Sequence, residues 1–318
     1  MPDIATLLAG ALGRELGPAE RLAVAVSGGP DSVALLLLAV AAFPGRVAAI
    51  TVDHGLRAGA AAEAADVAAQ CRARGIPHVT LDWIGDKPGA NLQAAARNAR
   101  YALMADWCAA NRFALLLTAH HADDQAETLL MRLARGSGSG GLAGIRARRD
   151  LGHGVVLARP LLGVRRADLA AVVAADGWKP ADDPSNRNPR YARTHARQLL
   201  ATTDWLNVPR IAQAAANLAD IEAALAWTTD LAWAGRAAVS AGRVELDAAG
   251  LPVELVRRLT TRVIATLAPS ATPRGSEIAR FITRLHTDGK ATIAGIQASG
   301  GTTWRFSLAP ARRKLRQE

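Results

Sequence analysis

The chain has 318 residues, half of them hydrophobic and 21% charged, so it can bury a core in one large domain or two ordinary ones and is too apolar to stay disordered. Its longest apolar run, residues 33–43, covers 11 positions against the roughly 20 of a membrane helix; with Asp3 near the start and no basic stretch before an apolar segment, we expect no membrane span, no secretory signal and a cytoplasmic protein. A net charge of +10 points to a polyanionic partner.

The first half alternates short apolar runs with helix-forming stretches. Residues 22–27, 47–54, 78–84 and 113–119 read as buried parallel strands. Between them, 32–42, 58–74 and 91–110 are alanine- and leucine-rich and of helical length. Strand and helix in alternation predict a doubly wound, mainly parallel α/β sheet, whose ligands bind beyond the carboxyl ends of the strands. A glycine–serine run at 136–141 is a linker or a mobile active-site loop. A strand at 155–160 and a helix at 165–176 follow, then a long loop over Asp182–Pro189. Helix-forming sequence occupies 211–239, 253–267 and 277–285. The expected division is a catalytic domain of residues 1–205 and a smaller, mostly helical domain of residues 206–318. The carboxyl-terminal part is the basic one: residues 251–318 hold twelve Lys/Arg and four acids. Arginine-rich codon usage would give the same excess without a partner.

Ser27-Gly28-Gly29-Pro30-Asp31-Ser32 lies between the first strand and the first long helix. Two glycines allow a tight turn whose amides, at a helix amino terminus, bind phosphate. Asp31 would repel phosphate unless a divalent cation stands between them, which implies Mg²⁺ shared by protein and nucleotide. An ordinary glycine-rich turn with a serine or aspartate cap is the structural alternative. The second strand ends in Asp53-His54, where Asp53 either approaches a nucleotide or caps the next helix. Arg97, Arg100 and Tyr101 share a helix face suited to an anion, or to solvent. After the fourth strand, His120-His121-Ala122-Asp123-Asp124-Gln125 begins a helix on which His121, Asp124, Gln125 and Thr128 form one stripe. Acids there favour the helix dipole. Together with the histidines they also suit a general base or the other half of a site for Mg²⁺ opposite Asp31.

Ser27–Ser32 resembles the PP-loop of ATP pyrophosphatases, which cleave ATP to AMP and pyrophosphate. It joins Val52-Asp53-His54-Gly55-Leu56-Arg57, Ala96-Arg97…Arg100-Tyr101 and His120–Thr128. Beyond these come Arg132…Arg135-Gly136-Ser137-Gly138, Arg159-Pro160-Leu161-Leu162, and Asp182-Asp183-Pro184-Ser185-Asn186 leading to Arg193 and Arg197. Over residues 20–200 this set resembles the tRNA(Ile)-lysidine synthetase family, in a short form. The resemblance implies a ligase that adenylates carbon 2 of the wobble cytidine in the CAU-anticodon isoleucine tRNA, with AMP then displaced by L-lysine. Codon specificity thereby changes from AUG to AUA. It implies ATP held by Ser27, Gly28, Gly29, Pro30, Asp31, Ser32, Asp53 and Arg97, and Mg²⁺ on Asp31 and Asp124. Catalytic roles fall to Asp31, His121, Asp124 and Arg193. A homodimer is left open.

The rival inside the superfamily is a tRNA thiolase, which generally needs a cysteine pair or an iron–sulfur cluster. Cys71 and Cys108 both fall in helical patterns and read as structural. An amidating synthetase would not need the basic carboxyl-terminal region. An RNA-binding protein without turnover would have no use for carboxylates in a phosphate loop.

Overall fold

The computed structural model describes residues 2–56, 59–85, 87–88, 90–181 and 192–310. It divides into two compact units, Met1–Ala219 and Asp220–Glu318.

The first unit holds a six-stranded sheet in the order β3-β2-β1-β4-β6-β5. Its strands are β1 (Leu22–Ala25), β2 (Val47–Asp53), β3 (His78–Asp82), β4 (Leu115–Leu117), β5 (Arg148–Asp150) and β6 (Val156–Ala158). All neighbours pair in parallel except β5, which runs antiparallel to β6 at the edge. Successive side chains on a strand point to opposite faces, and both faces of the central strands β1, β2, β4 and β6 are covered; β3, expected to be buried, is a half-buried edge strand because it pairs on one side only, and β5 at the other edge is exposed. Leu22, Val24, Leu115 and Leu117 enter a core shared with α1 (Ile4–Leu12), α2 (Pro30–Ala42), α3 (Ala60–Ala73) and α7 (Arg166–Asp176). Ala23 and Leu116 enter the opposite core with Tyr101, Met104 and Cys108 of α4 (Leu92–Ala110). That two-sided burial is why these strands read as continuous apolar runs.

The strand order creates the site. From β1 the chain winds outward to β2 and β3, then returns through α4 to place β4 on the other side of β1. The loops leaving β1 and β4 therefore depart to opposite faces of the sheet and open a crevice at their carboxyl ends. The loop after β4 leads into α5 (Ala122–Leu133). After it, the glycine–serine segment forms a short helix, α6 (Ser139–Leu142). Arg132 donates to the carbonyls of Gly141 and Gly144 at 2.6 and 2.9 Å, and the Gln125 amide bridges both backbone groups of Ile145. A helix unread in the sequence, α8 (Ala192–Thr202), packs on α5.

The second unit carries helices at the expected places: the end of α9 (Val208–Arg236), α10 (Val253–Leu267) and α11 (Gly275–Thr287). Beside them stands an antiparallel sheet that the helical expectation lacked. It has five strands in the order β7-β8-β11-β10-β9: β7 (Ala237–Ser240), β8 (Arg243–Asp247), β9 (Lys290–Ile293), β10 (Ile296–Ser299) and β11 (Thr303–Leu308). Val244, Leu246, Ile296, Trp304 and Phe306 pack on Leu259, Val263, Phe281 and Leu285 of the helices. No helix among the described residues is long and apolar enough to cross a membrane.

Candidate active site

The loop after β1 is built for a close turn. Gly28 has φ +82°, a left-handed conformation, and a Cβ there would meet Val67 Cγ2 at 3.3 Å. Gly29 is the N-cap of α2 and Pro30 opens the helix, where its missing amide costs nothing. Ser32 ties the loop together: its hydroxyl donates to the Gly29 carbonyl at 2.9 Å and accepts from the Ser27 amide at 3.1 Å. The Ser27 and Ser32 hydroxyl oxygens are 3.3 Å apart. The amides of Asp31 and Ser32 stand at the helix terminus, where an anion is favoured by both hydrogen bonding and dipole.

The loop after β4 brings its side chains to the same place. His121 is the N-cap of α5 and is buried. Its Nε2 lies 3.4 Å from Asp31 Oδ2 and 3.6 Å from Asp124 Oδ2, so at most 7.0 Å separates the two carboxylate oxygens. Asp124 Oδ2 also accepts the His121 backbone amide at 3.2 Å, which fixes the carboxylate at the helix start. On the other ring edge, Asp123 Oδ2 stands 3.6 Å from Nδ1. Burial opposes a charge on His121, but Asp123, Asp31 and Asp124 overcome it and raise its pKa to about 9. Burial likewise opposes ionisation of Asp123, yet His121, Arg165 and the Arg166 amide hold it well below the usual carboxylate range. His120 is in the opposite condition: burial pushes it down to about 4, with Arg159, Arg97 and Arg193 adding to the effect against Asp124. Adjacent histidines thus carry different charges at neutral pH, one imidazolium and one imidazole.

Arg193 and Arg197 reach the cluster from α8. Arg193 Nη2 is 3.7 Å from Asp124 Oδ1, and Arg193 Nε is 3.0 Å from Glu127 Oε2. Arg197 Nε donates to Glu127 Oε1 at 2.8 Å. Glu127 is 2% exposed and holds both guanidiniums. It stood inside the quoted motif without a role, because only burial distinguishes it from the other acids of that helix.

For a divalent cation, the donors are hard oxygens. Among the described residues, Asp31 Oδ1 is buried without a hydrogen-bond partner and lies 3.8 Å from Arg166 Nε. Among the described residues there is no group of three or more metal-ligating side chains. One or two carboxylates, completed by phosphate oxygens and water, is what Mg²⁺ takes at nucleotide sites, so the residues fit it.

The remaining expected site residues lie apart. Asp53 Oδ1 accepts the Gly55 amide at 2.7 Å and so stabilises its own turn; α3 starts only at Ala60. Arg97 sits 5.3 Å from the Tyr101 ring centroid, within electrostatic reach of His120. Arg100 donates to His54 Nε2 at 3.0 Å. Gln125 of the stripe is buried and structural. Arg57, residues 182–189 and Arg312-Arg313-Lys314 lie outside the described residues. Cys71 and Cys108 are buried, and burial pushes their thiols up to about 11 and about 12, which suits neither thiolate chemistry nor cluster ligation.

Residues 6–203 match the family model of a PP-loop domain, ATP_bind_3. Two curated relatives named tRNA(Ile)-lysidine synthase align over nearly the whole chain. The protein from Zymomonas mobilis is 47% identical, over 92% of this chain and 90% of its own. That from Novosphingobium aromaticivorans is 45% identical, over 95% and 93%. Among solved structures, a U34-tRNA thiolase from Methanococcus maripaludis superposes with a TM-score of 0.55, covering 67% of this chain and 76% of the other. At 16% identity that likeness concerns the fold alone.

Proposed function

The chain belongs to the tRNA(Ile)-lysidine synthase family, ATP-using ligases that act on an isoleucine tRNA, and from that premise we propose how its own residues divide the reaction. ATP adenylates carbon 2 of the wobble cytidine, pyrophosphate leaves, and the L-lysine ε-amine then displaces AMP. The setting is the cytoplasm, where the tRNA is. The observation that carries the assignment is the meeting of Asp31 with His121 at the crevice between β1 and β4.

The turn at Ser27–Ser32 and the amides of the α2 terminus receive the phosphates. Asp31 and Asp124 would hold Mg²⁺, which supplies neutralisation of phosphate charge when bound. Support for Asp31 in this part is its buried Oδ1, which makes no hydrogen bond among the described residues. His121, protonated at neutral pH, engages the other Asp31 oxygen and so orients that carboxylate. Asp124 is the group we assign to take the proton of the attacking amine, which must be neutral to act as a nucleophile. Arg193, steadied by Glu127, offsets negative charge on the adenylyl phosphate. Asp53 and Arg97 serve the nucleotide from the rim. The division at 205/206 expected from composition leaves tRNA binding to the carboxyl-terminal part, supported by its excess of cations.

The decisive experiment measures pyrophosphate release with and without CAU-anticodon isoleucine tRNA and free lysine. Release requiring that tRNA, with lysine incorporated into it, supports the assignment. Release independent of RNA, or sulfur transfer in place of lysine, removes it.

A further inference from the structure

In the second unit, period-two alternation buries Val244, Leu246, Trp304 and Phe306 and turns the intervening residues to the other face of the sheet. Strand register aligns these outer residues in two rows. Lys290 pairs with Ser299, Ser299 with Arg305, and Arg305 with Glu245. Thr292 pairs with Gln297, Gln297 with Ser307, and Ser307 with Arg243. At about 4.8 Å between strands, each row is about 14 Å long. Arg284 of α11 joins them, and together they line a groove of about 600 Å³.

Four cations and one carboxylate line this groove. Arg243 and Lys290 have no carboxylate within 4 Å among the described residues. Arg305 meets Glu245 at 3.3 Å and Arg284 meets Asp288 at 3.5 Å, both in exposed pairs that water and salt weaken. Three arginines of α10 are differently placed. Arg257 and Arg258 bind Glu254, Arg258 also binds Glu222, and Arg262 binds Asp230, at 2.5–2.8 Å. Only Arg258, between Glu254 and the buried Glu222, has its charge largely used inside the unit; the Arg262–Asp230 pair is exposed. Trp304 is 2% exposed and offers no surface for a base to stack on.

We propose that this sheet face grips the phosphodiester backbone of the substrate tRNA through Arg243, Lys290 and Arg305, with Arg284 at the margin. The proposal rests on the assignment of this part of the chain to tRNA and names the surface responsible. Charge complementarity selects the ligand class. The two rows contain no aromatic ring on which a base could stack, and their serine, threonine and glutamine side chains suit phosphate and ribose oxygens. The face therefore positions the tRNA and reads no base.

The test uses the full chain and two variants of equal charge loss. R243Q/K290Q/R305Q empties the sheet face; R257Q/R274Q/R280Q removes three charges elsewhere in the unit, at Arg257 of α10, Arg274 at the N-cap of α11 and Arg280 within α11. Binding of CAU-anticodon isoleucine tRNA and of an unrelated tRNA is measured between 50 and 200 mM salt, with circular dichroism and a thermal melt as the check on folding and ATP binding as the check on the first unit. The sheet variant should lose on the order of tenfold in affinity for both tRNAs and about three in the log–log salt slope. The helix variant should change little, and both should bind ATP normally. Loss in the helix variant alone overturns the sheet face while leaving this part of the chain as the tRNA-binding one. Unchanged tRNA binding in both overturns the face and the assignment beneath it. Loss for only one of the two tRNAs would mean base reading and also overturns the proposal.

Discussion

Asp31 Oδ2 and His121 Nε2 lie 3.4 Å apart, joining residues that are ninety positions distant in sequence and belong to the loops after β1 and β4. The contact is a consequence of strand order, since β1 and β4 are hydrogen-bonded neighbours. It leaves the other Asp31 oxygen buried and, among the described residues, without a hydrogen bond. Asp31→Ala should therefore reduce AMP and pyrophosphate formation by on the order of 10²–10³-fold or more, with an unchanged circular dichroism spectrum. Turnover equal to that of the parent protein would remove Asp31 from the chemistry.

The paired histidines predict a pH dependence with two limbs. His121 holds its proton more tightly folded than unfolded, with a pKa near 9 against 6.5. Its contribution to stability is complete below pH 6.5 and disappears as pH rises through about 9. The shift corresponds to about 3 kcal/mol at most. His120, lowered to about 4, acts in the other sense: the unfolded chain takes up the proton first, so stability falls as pH drops from 6.5 towards 4. Urea titrations in EDTA should show both limbs, and His121→Gln should flatten the alkaline one. An alkaline limb as steep in the variant as in the parent would show that His121 is not the titrating group.

The parallel sheet was legible because both faces of its central strands are buried, so β1, β2 and β4 stand out as apolar runs. Helix α1 carried a signal that went unread: Ile4, Leu8 and Leu12 one turn apart, Asp3 accepting the amides of Ala5 and Thr6, and Gly13 closing the end. The second sheet was hidden for a physical reason. Its strands are four to six residues long with half their side chains polar. The turn between β9 and β10 uses Ala294 and Gly295, with φ of +50° and +77°, where Asn-Gly or Asp-Gly would have announced a hairpin. In the candidate site, residue identities were visible in the motifs. The opposite charge states of His120 and His121 were not, since they depend on burial and on Asp31, Arg97 and Arg159 from elsewhere in the chain.

Gly144 gives a test of how the segment after α5 is held. Its φ is +65°, and a Cβ would fall 2.3 Å from Gln125 Oε1, the atom that accepts the Ile145 amide. Gly144→Ala should cost about 1–3 kcal/mol through strain and loss of that hydrogen bond. Limited proteolysis should then cut within residues 136–145, where the parent protein resists. Equal resistance in the two proteins would show that the Gln125 bridge does not secure the segment.

Glu127 tests whether the arginines of α8 depend on a buried counter-charge. Glu127→Gln keeps the shape but removes the charge that Arg193 and Arg197 share at 3.0 and 2.8 Å. Fully buried ion pairs cost more to break, but both guanidiniums face solvent on one side, so a loss of about 1–3 kcal/mol is expected. The kinetic consequence should be larger than the stability change. Arg193, released from Glu127 but still near Asp124, would no longer be held where the adenylyl phosphate forms, so single-turnover adenylation should slow by about 10–100-fold. ATP affinity should change little, because the turn at Ser27–Ser32 is untouched. Glu127→Asp, which restores the charge on a shorter stem, should recover part of the rate. If Gln and Asp variants adenylate tRNA equally fast, the carboxylate is there for packing and Arg193 needs no such support.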